Sequence, residues 1–212
     1  IATGWEAELR IALDAMVPAE RLLPLIHDFY AAGHGTQIRL GHEVLGGTWD
    51  ALAADRADLV IGAPGDMPAR SGLASRLLGE ARLRLVVAAH HPLAGWRGPV
   101  PASELARHRA VVIADTSQEL SARSAGLIGG QDILRVPDMR TKAAAQIAGL
   151  GIGHLPRWIV EPEIAAGRLV ELEAAEPGQQ LSFHIAWRSR QVGRALQWFL
   201  DELDKNERLA AL

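Results

Sequence analysis

The sequence predicts an α/β fold built as two lobes. That expectation rests on three features of the chain. Segments of strand character alternate with helical ones, and near the start the order is strand, helix, strand, helix, strand, which calls for a parallel sheet. Leu83–Ala89 and AVVIA (110–114) are nearly continuous apolar runs, as expected of strands covered on both faces. The chain has 212 residues, 49% of them hydrophobic, enough for one large domain or two small lobes with real cores.

Leu9–Asp14 (LRIALD) reads as the first strand. Pro18 opens a helix through Ala32, with Leu22, Leu25, Ile26 and Phe29 on one side, and Gly33 and Gly35 stop it. Residues 36–44 alternate Ile38, Leu40 and Val44, the period of a strand. After the Gly46-Gly47 turn, Thr48 caps a helix over 49–55, and DLVIGA (58–63) is the third strand. The strand at 83–89 ends at His90-His91-Pro92, and Ser103 caps a short helix to Arg107. Beyond the strand at 110–114, Thr116-Ser117-Gln118-Glu119 has the spacing of a capping box. A strand at 132–136 leads to a helix over 139–148 capped by Asp138. Short elements follow: a strand at 152–155, a helix at 159–165 and an edge strand at 168–172. Pro177-Gly178 is a turn, 181–187 a strand, and 191–203 an amphipathic helix with Ala195, Leu196, Phe199 and Leu203 inward. The lobes are then residues 1–84 and about 85–178, with the last strand and helix returning to the first lobe if the topology is discontinuous.

Composition narrows the function. The chain has no cysteine, which excludes disulfides, thiolate metal sites and a cysteine nucleophile. A net charge of −3 makes these residues poor at gripping nucleic acid. No run of about 18 apolar residues is present, so no membrane span is expected, and no signal peptide is visible at the start. His90-His91 lacks a third ligand at metal spacing. Gly149–Gly153 follows a helix and precedes a strand, the reverse of a dinucleotide fingerprint. No G-x-S-x-G or H-E-x-x-H motif occurs, and Trp187, Trp198 and Phe199 read as packing because no basic stripe accompanies them. Neither an enzyme activity nor a cofactor or metal is expected.

Five segments, in order, resemble the effector-binding domain of LysR-type transcriptional regulators. They are LRIALD (9–14), PAERLLPLIHDFY (18–30), TQIRLGHEVLGGTWDALAADRADLVIGAP (36–64), LVVAAHHPLA (85–94) and VPDMRTKAAAQIAGLGIGHLP (136–156). The resemblance implies two Rossmann-like subdomains joined by crossing strands, of the type 2 periplasmic-binding-protein-like class. Residues 1–84 with 181–212 would form regulatory subdomain I and residues 85–180 subdomain II. It also implies a small-molecule effector in the cleft between them, a cytoplasmic protein, and pairing as a homodimer or tetramer. The candidate pairing faces are Arg21–Ala32 and Lys142–Leu150. The family's N-terminal winged helix-turn-helix finds no match in these residues, so DNA binding is expected only through that further domain. A solute-binding protein of a transporter shares the two-lobed logic and is the alternative.

In open α/β sheets, ligands sit beyond the carboxyl ends of strands, where helix N-termini favour anions. Asp14–Val17, Thr116-Ser117 and Asp138–Arg140 present such ends, while Glu43 and Ala63-Pro64 close the second and third strands. The expected ligand is a small organic, aromatic carboxylate. Thr116, Ser117 and Arg140 would lie near its charge, with Met16, Val17 and Met139 as apolar wall. Each residue also has a plainer role. Thr116 can be a helix cap and nothing else, Arg140 a solvated surface charge, and both methionines core filler. Glu43 repels an anion unless it bonds a ligand donor or a nearby amide, so it chiefly marks the strand end, and Asp14 carries the same caution.

Overall fold

The computed structural model describes residues 4–68, 72–120, 129–176, 178, 180–190 and 192–205. Its elements in chain order are β1 (Glu8–Asp14), a 3-10 turn (Ala19–Arg21), α1 (Leu23–Ala31), β2 (Gln37–Glu43), α2 (Gly46–Ala53), β3 (Leu59–Pro64), β4 (Leu73–Ala81), β5 (Arg84–Ala88), a second 3-10 turn (Pro92–Gly95), α3 (Ala102–Leu105), β6 (Ala110–Ile113), β7 (Ile133–Val136), α4 (Met139–Ile147), β8 (Gly153–Leu155), α5 (Arg157–Ala165), β9 (Leu169–Glu171), β10 (Leu181–Arg188) and α6 (Arg194–Lys205). They form two compact units, and the chain passes from the first to the second between Glu80 and Ala81. Residues 115–120 and the final strand and helix belong to the first unit. The sequence alone groups 115–120 with the second lobe, whereas hydrogen bonds to Asp50 tie that stretch to α2 in the first unit.

In the first unit the sheet order is β2-β1-β3-β10-β4. β1 runs parallel to β2 and β3, while β10 runs antiparallel to β3, so the sheet is mixed. Alternation along β1 builds two cores. Leu9, Ile11 and Leu13 join Phe29 of α1 and Leu196 and Phe199 of α6 on one face. Ala12 on the other face joins Ala63, Ala186 and the α2 residues Trp49 and Leu52. The small alanines leave room for Trp49, which is fully buried and donates its indole N–H to the Pro64 carbonyl at 3.0 Å. Phe29 packs against Trp198 and Phe199, with ring centroids 5.0 and 5.1 Å away. The aromatic residues of the last helix therefore serve packing.

The second unit holds an antiparallel sheet ordered β8-β5-β9 and a parallel pair β6-β7. Two backbone bonds connect them: Val111 N–H to the Ile152 carbonyl and Ile152 N–H to the Arg109 carbonyl, both 2.8 Å. Leu85, Val87, Leu93, Val100, Leu105, Ile152 and Leu172 form its core.

Several elements differ from the sequence reading; Ser103, expected as a cap, lies inside α3, which Pro101 precedes without a side-chain cap. α2 begins at Gly46 rather than Trp49, and Thr48 sits inside it with its hydroxyl donating to the Leu45 carbonyl at 2.8 Å. β4 was not anticipated, because its residues LASRLLGEA lack clean alternation and its faces are mostly half-buried. Residues 116–120 form no helix, so Thr116 is not a helix cap here.

Candidate functional site

The strand ends of the first unit converge. β1 ends at Asp14, β2 at Glu43 and β3 at Pro64. Asp14 is buried, and its carboxylate accepts the Met16 N–H at 2.9 Å and the Leu45 N–H at 3.2 Å. Burial raises its pKa to about 7 against those two amides, with Asp115 adding a smaller push upward. The β1–α1 turn is closed by Val17 N–H to the Asp14 carbonyl at 2.8 Å and Ala15 N–H to the Glu43 carbonyl at 3.0 Å. The free amides expected at this helix entrance are thus already taken.

Residues 115–120 lie along α2 and are held by side chains. The Thr116 hydroxyl donates to Glu43 and accepts the Val44 N–H at 2.9 Å. Asp115 accepts Gly46 N–H at 3.1 Å and Ser117 N–H at 2.7 Å. Asp50, fully buried on α2, accepts the backbone N–H groups of Gln118, Glu119 and Leu120 at 3.1, 3.0 and 2.7 Å. The Thr116 hydroxyl is thus engaged by Glu43 and Val44 and not by the Gln118 or Glu119 amide, which Asp50 accepts in its place. Burial opposes the charge on Asp50, but the Arg56 guanidinium at 2.9 Å and the three amides outweigh it, and its pKa falls to about 2. Arg56 also reaches Glu43 at 3.3 Å, so the Glu43 charge is answered from within the protein.

Two close approaches need glycine. A Cβ at Gly47 would overlap the Thr116 hydroxyl and lie 2.8 Å from Glu43 Oε2. Gly62 on β3 has φ +91°, and a Cβ there would lie 2.5 Å from Val17 Cγ2. Leu45, between β2 and α2, adopts φ 52° without being glycine, a strained backbone at the loop that touches Asp14.

The structure therefore brings together Met16, Val17, Glu43, Ala63, Pro64, Thr116 and Ser117 in the first unit. Val17 and Ala63 are 1% and 0% exposed, so they support the rim from beneath. Ser117 Oγ is buried with no hydrogen-bond partner, as is His184 Nδ1 on β10, whose residue pairs with Ala63. Met139 and Arg140 open α4 in the second unit, where Met139 is buried and Arg140 exposed. Asp138 caps that helix through the Thr141 N–H at 2.7 Å. Sequence reasoning missed Asp50, Arg56 and His184. The signal for Asp50 was present, since an acid inside the apolar run WDALA is out of place on a buried helix. No group of acids and histidines among the described residues is arranged to hold a metal ion.

A model of the LysR substrate binding domain matches residues 2–208. The chain belongs to this family. It is 35% identical over 209 residues to YeeY of Escherichia coli strain K12, an uncharacterized HTH-type transcriptional regulator, covering 99% of this chain and 68% of that protein. Two solved structures share the LysR fold with it. The regulatory domain of MetR, a LysR family regulator from N. meningitidis, superposes with a TM-score of 0.71 at 18% identity, covering 97% of this chain and 95% of that one. The effector binding domain of QuiR, in complex with shikimate, gives a TM-score of 0.67 at 17% identity, covering 98% and 100%. The fold is the two-subdomain, periplasmic-binding-protein-like α/β arrangement of LysR regulatory domains. The chain is the effector-binding domain of a LysR-type regulator, not an enzyme, and the transporter reading falls away.

Proposed function

We propose that this domain senses a small ring-bearing organic carboxylate, and that the strand ends of the first unit receive the ligand's charged group. The Ser117 hydroxyl carries the reading. Its oxygen is buried and unpartnered, while Asp14, Glu43, Asp50 and Thr116 around it are all hydrogen-bonded within the protein. A buried polar group without a partner costs about 1–3 kcal/mol, which an acceptor on a ligand recovers. Met16 and Pro64 are buried beside the strand ends and back the site as apolar packing, and Thr116 sets the position of its neighbour Ser117. The acids nearby favour a ligand that carries hydrogen-bond donors beside its carboxylate. Shikimate, the ligand held by QuiR, is a hydroxylated ring acid of that kind. Met139 and Arg140, at the start of α4 in the second unit, are tested separately.

In the complete regulator, effector binding would act on DNA binding through a separate helix-turn-helix domain, in the cytoplasm. A ligand shifts such an equilibrium only by its differential affinity for the two states. A thermal-shift screen of shikimate and aromatic acids against the 212-residue chain tests the reading. A true effector at 100 times its dissociation constant stabilises by about 2.7 kcal/mol. Ser117→Ala should then weaken calorimetric affinity about tenfold, the worth of a hydrogen bond to a charged group. Arg140→Ala in parallel decides whether that residue takes part: unchanged affinity removes it. If no acid raises the melting temperature, the carboxylate reading is wrong.

A further inference from the structure

Lys142 is one of only two lysines among the 22 basic residues of the chain, and it is 9% exposed. It lies on α4 and lines a cavity of about 30 Å³ inside the second unit, with Leu85, Leu105, Val111, Ile152 and His154 among the other walls. No aspartate or glutamate lines this cavity. Among the described residues, the Lys142 ammonium has neither an ion-pair partner nor a hydrogen bond. Gln146, one helical turn later, is fully buried, and both its amide oxygen and its amide nitrogen lack a partner. Gly153 of β8 keeps the place open: a Cβ there would lie 2.5 Å from Gln146 Nε2, 2.9 Å from the Val111 carbonyl oxygen and 3.4 Å from Lys142 Cε.

An isolated ammonium in an apolar interior is costly, so it loses its proton or finds a counter-charge. Burial lowers the Lys142 pKa to about 8, which still leaves most of it charged at pH 7. The same burial, with the Lys142 charge adding to it, lowers His154 to about 4 and keeps that imidazole neutral. The space is lined by one cation, Lys142, and a neutral imidazole, His154, while the uncommitted Gln146 amide lies beside the wall residue Gly153. We propose that this cavity binds a small monovalent anion, held by the Lys142 ammonium with His154 beside it. A cavity of about 30 Å³ has room for one or two water molecules or an anion of similar size, such as chloride or formate. The site lies wholly within the second unit and does not depend on the strand-end reading above.

Nitrogen-15 labelling of lysine in the 212-residue chain tests this directly, because exposed Lys205 serves as an internal reference. Sodium chloride and sodium formate are titrated separately at constant ionic strength, balanced with sodium sulfate. The expected result is a saturable shift of the Lys142 Nζ resonance with one or both anions, and a rise of one unit or more in its titration midpoint at saturation. Lys205 should not respond. In Lys142→Met, which removes a buried charge and keeps the stem, the anion-dependent rise in melting temperature should vanish. If Lys142 responds no more than Lys205, the cavity holds water only and the proposal is overturned. The wild-type titration decides the matter even if the variant fails to fold.

Discussion

Asp14 and Asp50 are both buried carboxylates, yet they titrate in opposite directions. Asp50 has a guanidinium and three amides, whereas Asp14 has two amides and another acid nearby. For Asp50 the folded pKa of about 2 lies below the ordinary 3.8, so its stabilisation is present above pH 4 and is lost as pH falls through 2. Asp50→Ala leaves three buried backbone amides without their acceptor and Arg56 with Glu43 alone, and should cost about 3–5 kcal/mol in urea unfolding at pH 7. For Asp14 the folded pKa of about 7 lies above 3.8, so the native state binds the extra proton. Its contribution is complete below pH 3.8 and declines as pH rises to 7 and beyond. Asp14→Asn should flatten that part of the stability–pH curve, which unfolding at a series of pH values would show. An unchanged slope would remove Asp14 as its source.

Among the elements, the start of α2 has the tightest requirements. Gly47→Ala places a methyl group against Thr116 and Glu43, so residues 115–120 must move away. The expected cost is about 1–3 kcal/mol in thermal or urea unfolding, the range for overpacking. The variant should also weaken any ligand that Ser117 holds, measured by calorimetry. The elements most legible in the sequence were those whose own residues decide them. β1, β3, β5 and β6 announce themselves as apolar runs, and Asp138 caps α4 as its position before Met139 implies. β4 was not legible because its strand state depends on the neighbouring β10, and LASRLLGEA has no period of its own. The 115–120 segment was misread for a related reason. It has the letters of a capping box, but the partners of Thr116 and of the amides after it, Glu43, Val44 and Asp50, are distant in sequence. The candidate site was visible as strand ends, whereas its charge balance through Arg56 was not.

At the scale of the molecule, the edge strand β2 is exposed along most of its length, and Leu23, Tyr30 and Leu40 stand 52%, 48% and 37% exposed on α1 and β2. We expect this face to pair two copies of the chain. On α4 and the turn that follows it, Arg140, Thr141, Ala144, Ala148 and Leu150 are exposed, while Lys142 is buried, so any contact there centres on Leu150 and the alanines beside it. Leu40→Asp should convert a dimer to a monomer in sedimentation at tens of micromolar, with the melting temperature of the monomer little changed. A wild-type chain that sediments as a monomer would count against the pairing face. The two-lobed organisation was legible from periodicity and resemblance together. Periodicity alone left open where the last strand and helix belong.

That return has a consequence for how the polypeptide matures. β10 sits between β3 and β4, and α6 supplies Leu196, Phe199 and Leu203 to the core around Phe29. During synthesis the N-terminal strands therefore emerge from the ribosome long before their last partners, with an unclosed edge and an uncovered apolar face. The segment between them can meanwhile complete its own sheets. A stop codon upstream of Leu181 would spare that inserted half and leave the beginning of the chain as the aggregation-prone part.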